Sequence, residues 1–142
     1  MRIVVDANRV IAALIKDSTT RKLLFSREFE FFAPEYFKEE LEKYKYEIAE
    51  RTNASSEDLE KMFNTIAQRI TSIAKNEYAS YMEAAKREVE DVKDVAYLAV
   101  CIALNADGIW THDPHFKRQQ RCKIFTNIDL LRIIRNKSEK KL

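Results

Sequence analysis

Residues 2–8, Arg2-Ile3-Val4-Val5-Asp6-Ala7-Asn8 (RIVVDAN), open the chain with an apolar run that does not alternate and that ends on Asp6 and Asn8. A strand with one wet face alternates apolar and polar residues, whereas an unbroken Ile/Val run is buried on both faces. Such a strand needs helices on each side, and this decides the fold class: α/β, three layers, with helices covering a central, mostly parallel twisted sheet. Residues 108–115, Gly108-Ile109-Trp110-Thr111-His112-Asp113-Pro114-His115 (GIWTHDPH), repeat the form near the other end. There an apolar run breaks into Thr, His and Asp and is stopped by Pro114.

The segments between alternate in kind. Residues 29–33, closed by Pro34, predict a second strand; 109–111 and 123–125 predict two more. Short helices are expected over 9–15 and 19–26. From Tyr36 onward Phe37, Leu41, Tyr44 and Ile48 recur at helical spacing. Ser55 and Asp58 make a capping-box-like start to a helix whose apolar stripe is Leu59, Met62, Phe63, Ile66 and Ile70. Tyr78, Met82, Ala85 and Val89 mark another. Residues 91–104 become apolar all round in their second half, which predicts a central, buried helix. Asn105-Ala106-Asp107-Gly108 turns the chain into the next strand. Thr126 or Asn127 caps a last helix through Ile128, Leu131 and Ile134, and the charged residues 136–142 are expected to fray. The organisation is one domain over residues 1–135 followed by this tail; the helix-rich stretch 36–90 reads as an insertion without a flexible joint.

Composition removes several classes of function. In a chain of 142 residues, 46% hydrophobic and 34% charged side chains argue for a folded domain rather than disorder. No apolar run approaches the roughly 20 residues of a membrane-spanning helix. Asp6, Asn8 and Arg9 interrupt any signal-peptide core, so a cytoplasmic location is expected. Two cysteines, Cys101 and Cys122, are too few for a disulfide framework and form no CxxC pair; Cys101 is expected to be a buried thiol. Gly108 is the single glycine, which excludes the glycine-rich phosphate loops of nucleotide-binding folds. The formal charge of +2 does not by itself announce a nucleic-acid binder.

The acids carry the chemistry. Open α/β sheets bind ligands beyond the carboxyl ends of their strands, where Asp6 and Asp113 fall. Asp91 and Asp94 share one face at the start of the buried helix. Glu39 and Glu40 lie one turn into the helix that leaves the second strand. Each has a plainer reading, as a turn former, a helix cap or a solvated charge. Together they emerge at one sheet edge, and carboxylates facing one cleft call for a cation. Oxygen ligands without cysteine favour Mg²⁺ or Mn²⁺, one ion or two.

Four segments, VVDANRVIAALI, APEYFKEEL, DVKDVAYLAVCIALNAD and IWTHDPHF, occur in an order and spacing that resemble the PIN-domain ribonucleases, among which are many prokaryotic toxins of toxin–antitoxin pairs. The resemblance spans nearly the whole chain. It implies a catalytic, metal-binding quartet of Asp6, Glu40, Asp94 and Asp113, with Asp91 as an auxiliary acid. Asn8 and Thr111 would orient the carboxylates by hydrogen bonds. Glu40 is chosen over Glu39 because its neighbour Leu41 lies on the core stripe. Many family members carry a further acid or amide two places after the residue matching Asp113; His115 stands there instead, which puts a second metal site in doubt.

Lys117, Arg118 and Arg121 follow directly and are candidate phosphate contacts. His112 and His115 invite zinc, but a third histidine is missing and neither cysteine stands at ligand spacing. The expected activity is metal-dependent RNA phosphodiester hydrolysis, with an RNA substrate, an antitoxin partner and a homodimer implied. The dimer is further suggested by Phe63, Tyr78, Tyr81 and Met82 on the middle helices. Rival readings are a response-regulator receiver, which wants adjacent acids where this chain has Asp6-Ala7-Asn8, and a haloacid-type phosphatase, to which Asn8 denies the second acid. A non-catalytic RNA- or protein-binding domain, and an RNA-processing nuclease outside toxin–antitoxin systems, also remain open.

Overall fold

The computed structural model describes residues 1–15 and 18–140. Its sheet has five strands, β1 (Arg2–Val5), β2 (Glu30–Pro34), β3 (Ile70–Ile73), β4 (Gly108–Trp110) and β5 (Ile124–Phe125), in the order β3-β2-β1-β4-β5. Every pairing is parallel. Ile3, Val4 and Val5 of β1 are all fully buried, as a strand covered on both faces must be.

Two groups of helices supply the cover. α1 (Ala7–Ile15) packs with α2 (Ser18–Leu24), α3 (Phe37–Lys43), α4 (Lys45–Thr52) and α5 (Ser56–Ala67). The second group is α6 (Lys75–Tyr78), α7 (Met82–Lys86) and α8 (Val92–Leu104), with α8 lying across β1, β2 and β4. α9 (Asn127–Lys140) follows β5 and packs against α2. Ser55 caps α5 through its Oγ, which accepts from the Asp58 amide at 3.1 Å. Thr126 and Asp129 cap α9 reciprocally: the Thr126 amide donates to Asp129 Oδ2 at 2.8 Å and the Asp129 amide to Thr126 Oγ1 at 3.4 Å.

α8 is closed by a left-handed residue, Asn105, at φ 48°. The Asn105 amide donates to the Ile102 carbonyl (3.1 Å) and the Ala106 amide to that of Cys101 (3.0 Å), a Schellman closure that satisfies two end carbonyls. Asp107 then latches to β1: its amide donates to the Arg2 carbonyl and its carboxylate accepts from the Arg2 amide, each over 2.8 Å. Gly108 follows because nothing larger fits. A Cβ there would lie 2.5 Å from the Lys123 carbonyl oxygen and 2.5 Å from the Phe125 ring.

Three local expectations are corrected. Ile70 does not end the stripe of α5; it starts β3, with Ile70 and Ile73 buried. Their spacing of three mimics a helical stripe, and only pairing with β2 separates the two readings. The pattern from Tyr78 to Val89 is broken into α6, a 3₁₀ turn (Ala79–Tyr81) and α7. The tail expected to fray continues α9 as far as Lys140, and Lys137 reaches Glu28 at 3.1 Å; Lys141 and Leu142 lie outside the described residues.

Candidate functional site

The strand order reverses at β1. The chain moves from β1 to β2 and β3 on one side, then returns to place β4 on the other. Between β1 and β4 the connections diverge and leave a crevice at the carboxyl edge, the usual ligand position in sheets of this kind. Asp6 leaves β1 there, and Thr111 and Asp113 leave β4. The β1–β4 pairing extends into the site, since the Asp6 amide donates to the Trp110 carbonyl at 3.1 Å.

Asp6 is buried and both of its carboxylate oxygens are engaged: Oδ2 accepts from Thr111 Oγ1 (2.8 Å) and Oδ1 from the Asn8 amide (3.2 Å). Burial pushes its pKa up and the charge of Asp113 adds to that, while the Thr111 and Asn8 hydrogen bonds pull the other way. The contact from Asn8 is made by its backbone. Its side chain is exposed and makes no hydrogen bond to a carboxylate among the described residues. Thr111 Oγ1 also accepts from the Asp113 amide at 3.0 Å, so one buried hydroxyl orders the acids of both strands.

Asp113 opens a 3₁₀ turn (Pro114–Arg118). Its Oδ1 accepts from the His115 amide at 2.9 Å and lies 2.8 Å from His115 Nδ1. Asp91 caps α8, its Oδ1 accepting from the Lys93 amide at 2.9 Å. Asp6, Asp113 and Asp91 thus each accept a backbone amide as a turn former or helix cap.

Asp94 differs. It lies in the first turn of α8, only 8% exposed, and its buried Oδ2 has no hydrogen-bond partner among the described residues. Its pKa is pushed up to about 7, by burial first and then by the charges of Asp113, Asp91 and Asp6. A buried carboxylate oxygen without a donor costs on the order of 1–3 kcal/mol, more when charged, and a cation would remove that cost. Ligand atoms of Asp94, Asp113 and His115 lie within 4.8 Å of one another, a spacing compatible with one ion.

Glu40 approaches from α3. Its Oε1 accepts from the Tyr97 hydroxyl at 3.0 Å, and its pKa is raised by burial and by the negative charge of Asp6. Glu39, its neighbour, is exposed. His112 lines a pocket with Asp6 and Asp113, and its Nε2 accepts from the Asn127 amide at the start of α9 (3.2 Å). The two histidines of the sequence motif therefore do not form a pair. The residue that sequence reasoning undervalued is His115, which joins Asp94 and Asp113; an Asp-x-His step across a tight turn was the available signal.

Beside this cluster runs a groove of about 440 Å³ lined by Lys86, Arg87, Asp91, His115 and Arg118 among others. Arg118 thus falls next to the acids, as do Lys86 and Arg87, which the sequence did not single out. Lys117 and Arg121 are exposed on the same segment but do not line this groove.

A parallel sheet that reverses its order beside an acidic cluster defines a class, and the sequence agrees with it: residues 4–121 match the PIN domain. The chain belongs to the PIN-domain family. Its fold is similar to that of VapBC2 from Rickettsia felis, whose crystal structure is of the assembly bound to a DNA fragment from their promoter; the TM-score is 0.65 at 17% identity, over 89% of this chain and 98% of that one. At that identity the likeness concerns the fold alone. No curated protein matches the chain.

Proposed function

We propose that this chain is a divalent-cation-dependent ribonuclease that hydrolyses RNA phosphodiester bonds, the toxin of a toxin–antitoxin pair. The observation that carries the reading is Asp94. A buried carboxylate oxygen without a donor, beside three further acids at the point where the sheet order reverses, suits a cation better than it suits a helix cap. Asp94 and Asp113 would hold Mg²⁺ or Mn²⁺, with Asp6 and Glu40 completing the acidic wall and Asp91 adding charge from the edge. His115 would either ligate directly or fix Asp113 through their 2.8 Å contact. When bound, such a cation stabilises charge on the scissile phosphate and lowers the pKa of a water that it holds.

The protein's own contribution is placement. Thr111 holds Asp6 and the Asp113 backbone in one geometry. Lys86, Arg87 and Arg118 offer positive charge to phosphates flanking the reacting one, with Lys117 and Arg121 further along the strand. RNA as substrate and a cytoplasmic setting come from the family. The antitoxin rests on the family and on the fold neighbour, whose assembly VapBC2 binds promoter DNA. A homodimer belongs to the same reading.

The test is cleavage of a panel of single-stranded and hairpin RNAs with Mg²⁺, Mn²⁺, Zn²⁺ or EDTA. Activity with the first two ions and none in EDTA is expected; equal activity in EDTA would overturn the reading. Co-expression with small open reading frames adjoining the gene tests the partner, the expected result being relief of growth arrest by one of them.

A further inference from the structure

Two tyrosines stand behind Glu40. Tyr97 lies on α8 one turn after Asp94, so helical spacing sets both on one face of the helix. The Tyr97 side chain is 2% exposed and its hydroxyl spends its proton on Glu40 Oε1, at 3.0 Å. Tyr36, which precedes α3, packs edge-on against Tyr97 with ring centroids 5.8 Å apart. Its own hydroxyl donates to the Lys93 carbonyl at 2.6 Å, in the first turn of α8. The two rings therefore clasp the start of α3 to the start of α8, the helices that bring Glu40 and Asp94 to the cleft.

Charge explains why a clasp is required. Glu40 is half-buried, and the charge of Asp6 acts against its ionised form. A glutamate side chain has three rotatable torsions, and repulsion from the other acids favours rotamers that carry it out to water. Among the described residues, the hydrogen-bond donor to its carboxylate is the Tyr97 hydroxyl. Burial and the nearby carboxylates push both tyrosine hydroxyls well above their ordinary pKa, so they remain protonated donors at any physiological pH.

We propose that Tyr97, braced by Tyr36, is a positioning residue that holds the Glu40 carboxylate inward, with Oε1 occupied and Oε2 turned over to the cation. The proposal rests on the metal-site reading above. Outer partners of this kind change metal affinity by roughly 10–100-fold when removed.

Tyr97→Phe removes one oxygen and keeps the ring. Mn²⁺ affinity, read by calorimetry, should weaken by about tenfold. In a Glu40→Gln background, where no carboxylate is left to place, Tyr97→Phe should weaken it no further. A merely structural tyrosine would give the same loss in both backgrounds. A crystal structure of metal-free Tyr97→Phe should show Glu40 rotated toward solvent. Tyr36→Phe should move Mn²⁺ affinity in the same direction by a smaller factor, with the Tyr97–Glu40 bond intact. Unchanged Mn²⁺ affinity in Tyr97→Phe, or an unmoved Glu40, would overturn the assignment. Failure of the wild type to bind Mn²⁺ or Mg²⁺ at all would overturn the metal-site reading instead, and the position of Glu40 in the crystal would still decide the role of Tyr97.

Discussion

The Thr111 hydroxyl donates to Asp6 Oδ2 over 2.8 Å, between residues 105 positions apart in sequence. The same oxygen accepts from the Asp113 amide, so a 1%-exposed threonine couples the acids that end β1 and β4. Thr111→Val keeps the shape and deletes both bonds, leaving a buried carboxylate and an amide short of a partner. The expected loss is roughly 2–3 kcal/mol by urea denaturation. Thr111→Ser should recover most of it. Undiminished stability in Thr111→Val, with the loss confined to Thr111→Ser, would mean that the methyl group, not the hydroxyl, matters.

Asp94 gives a pH dependence with a definite sign. Its folded pKa, pushed up to about 7 from an ordinary value of 3.8, means that the fold binds this proton more tightly than the unfolded chain. That contribution to stability is complete below the unfolded value and is lost as pH rises through about 7. Asp6 and Glu40 shift in the same direction. The metal-free protein should therefore melt higher at pH 5 than at pH 8, by an amount worth roughly 1–3 kcal/mol. Asp94→Asn should flatten much of this slope and, at pH 8 in EDTA, melt above wild type. An Asp94→Asn slope equal to that of wild type would remove Asp94 as its source.

Metal should reverse the order. With Mn²⁺ at about 100 times its dissociation constant, wild type gains roughly 2.7 kcal/mol. Asp94→Asn should gain far less. On RNA, Asp6→Asn and Asp94→Asn should each lose on the order of 10³-fold in rate, several kcal/mol of transition-state stabilisation. An undiminished Asp94→Asn rate would sink the assignment.

Gly108→Ala tests the β4–β5 approach. The added methyl would lie 2.5 Å from a backbone oxygen and 2.5 Å from the ring of Phe125, itself 3% exposed. Neither can yield without moving β5, so the expected loss is about 1–3 kcal/mol or more, read as a fall in Tm. An unchanged Tm would show that β5 shifts freely.

Association is tested by sedimentation. Tyr78 is buried at 3% exposure and contributes nothing to an outer surface, whereas Tyr46 is 87% and Val92 76% exposed. A homodimer is expected at tens of micromolar; a mass near 16.7 kDa there would count against it.

The doubly buried β1 was legible because Ile3-Val4-Val5 has no alternation to explain away. α8 was legible because its second half has no polar face. β3 was hidden, since Ile70 and Ile73 satisfy helical spacing as well as strand burial, and local sequence contains nothing to choose between them. At the cleft, residue type and strand ends pointed to the acids. The direction of each hydrogen bond was not accessible: that Asn8 acts through its backbone, that His112 faces α9, and that His115 turns to Asp113 depend on the path of the loops. Tyr97 read as one more apolar helix residue until Glu40 was placed opposite its hydroxyl.

The pairing of Val4 with Ile109 sets a timetable for the molecule. The centre of the sheet joins two strands with most of the chain between them, and parallel contacts of such long range form slowly. During synthesis β2 and β3 can dock on β1 early. The crevice has no second wall until β4 has left the ribosome, and β4 gains its outer neighbour only with Phe125. A nascent chain halted before β4 carries Asp6, Glu40, Asp91 and Asp94 on an open sheet edge and no enclosed cleft. For a protein whose proposed substrate is RNA, the acids of the proposed centre then meet only after β4 has joined β1, β2 and β3 in the sheet.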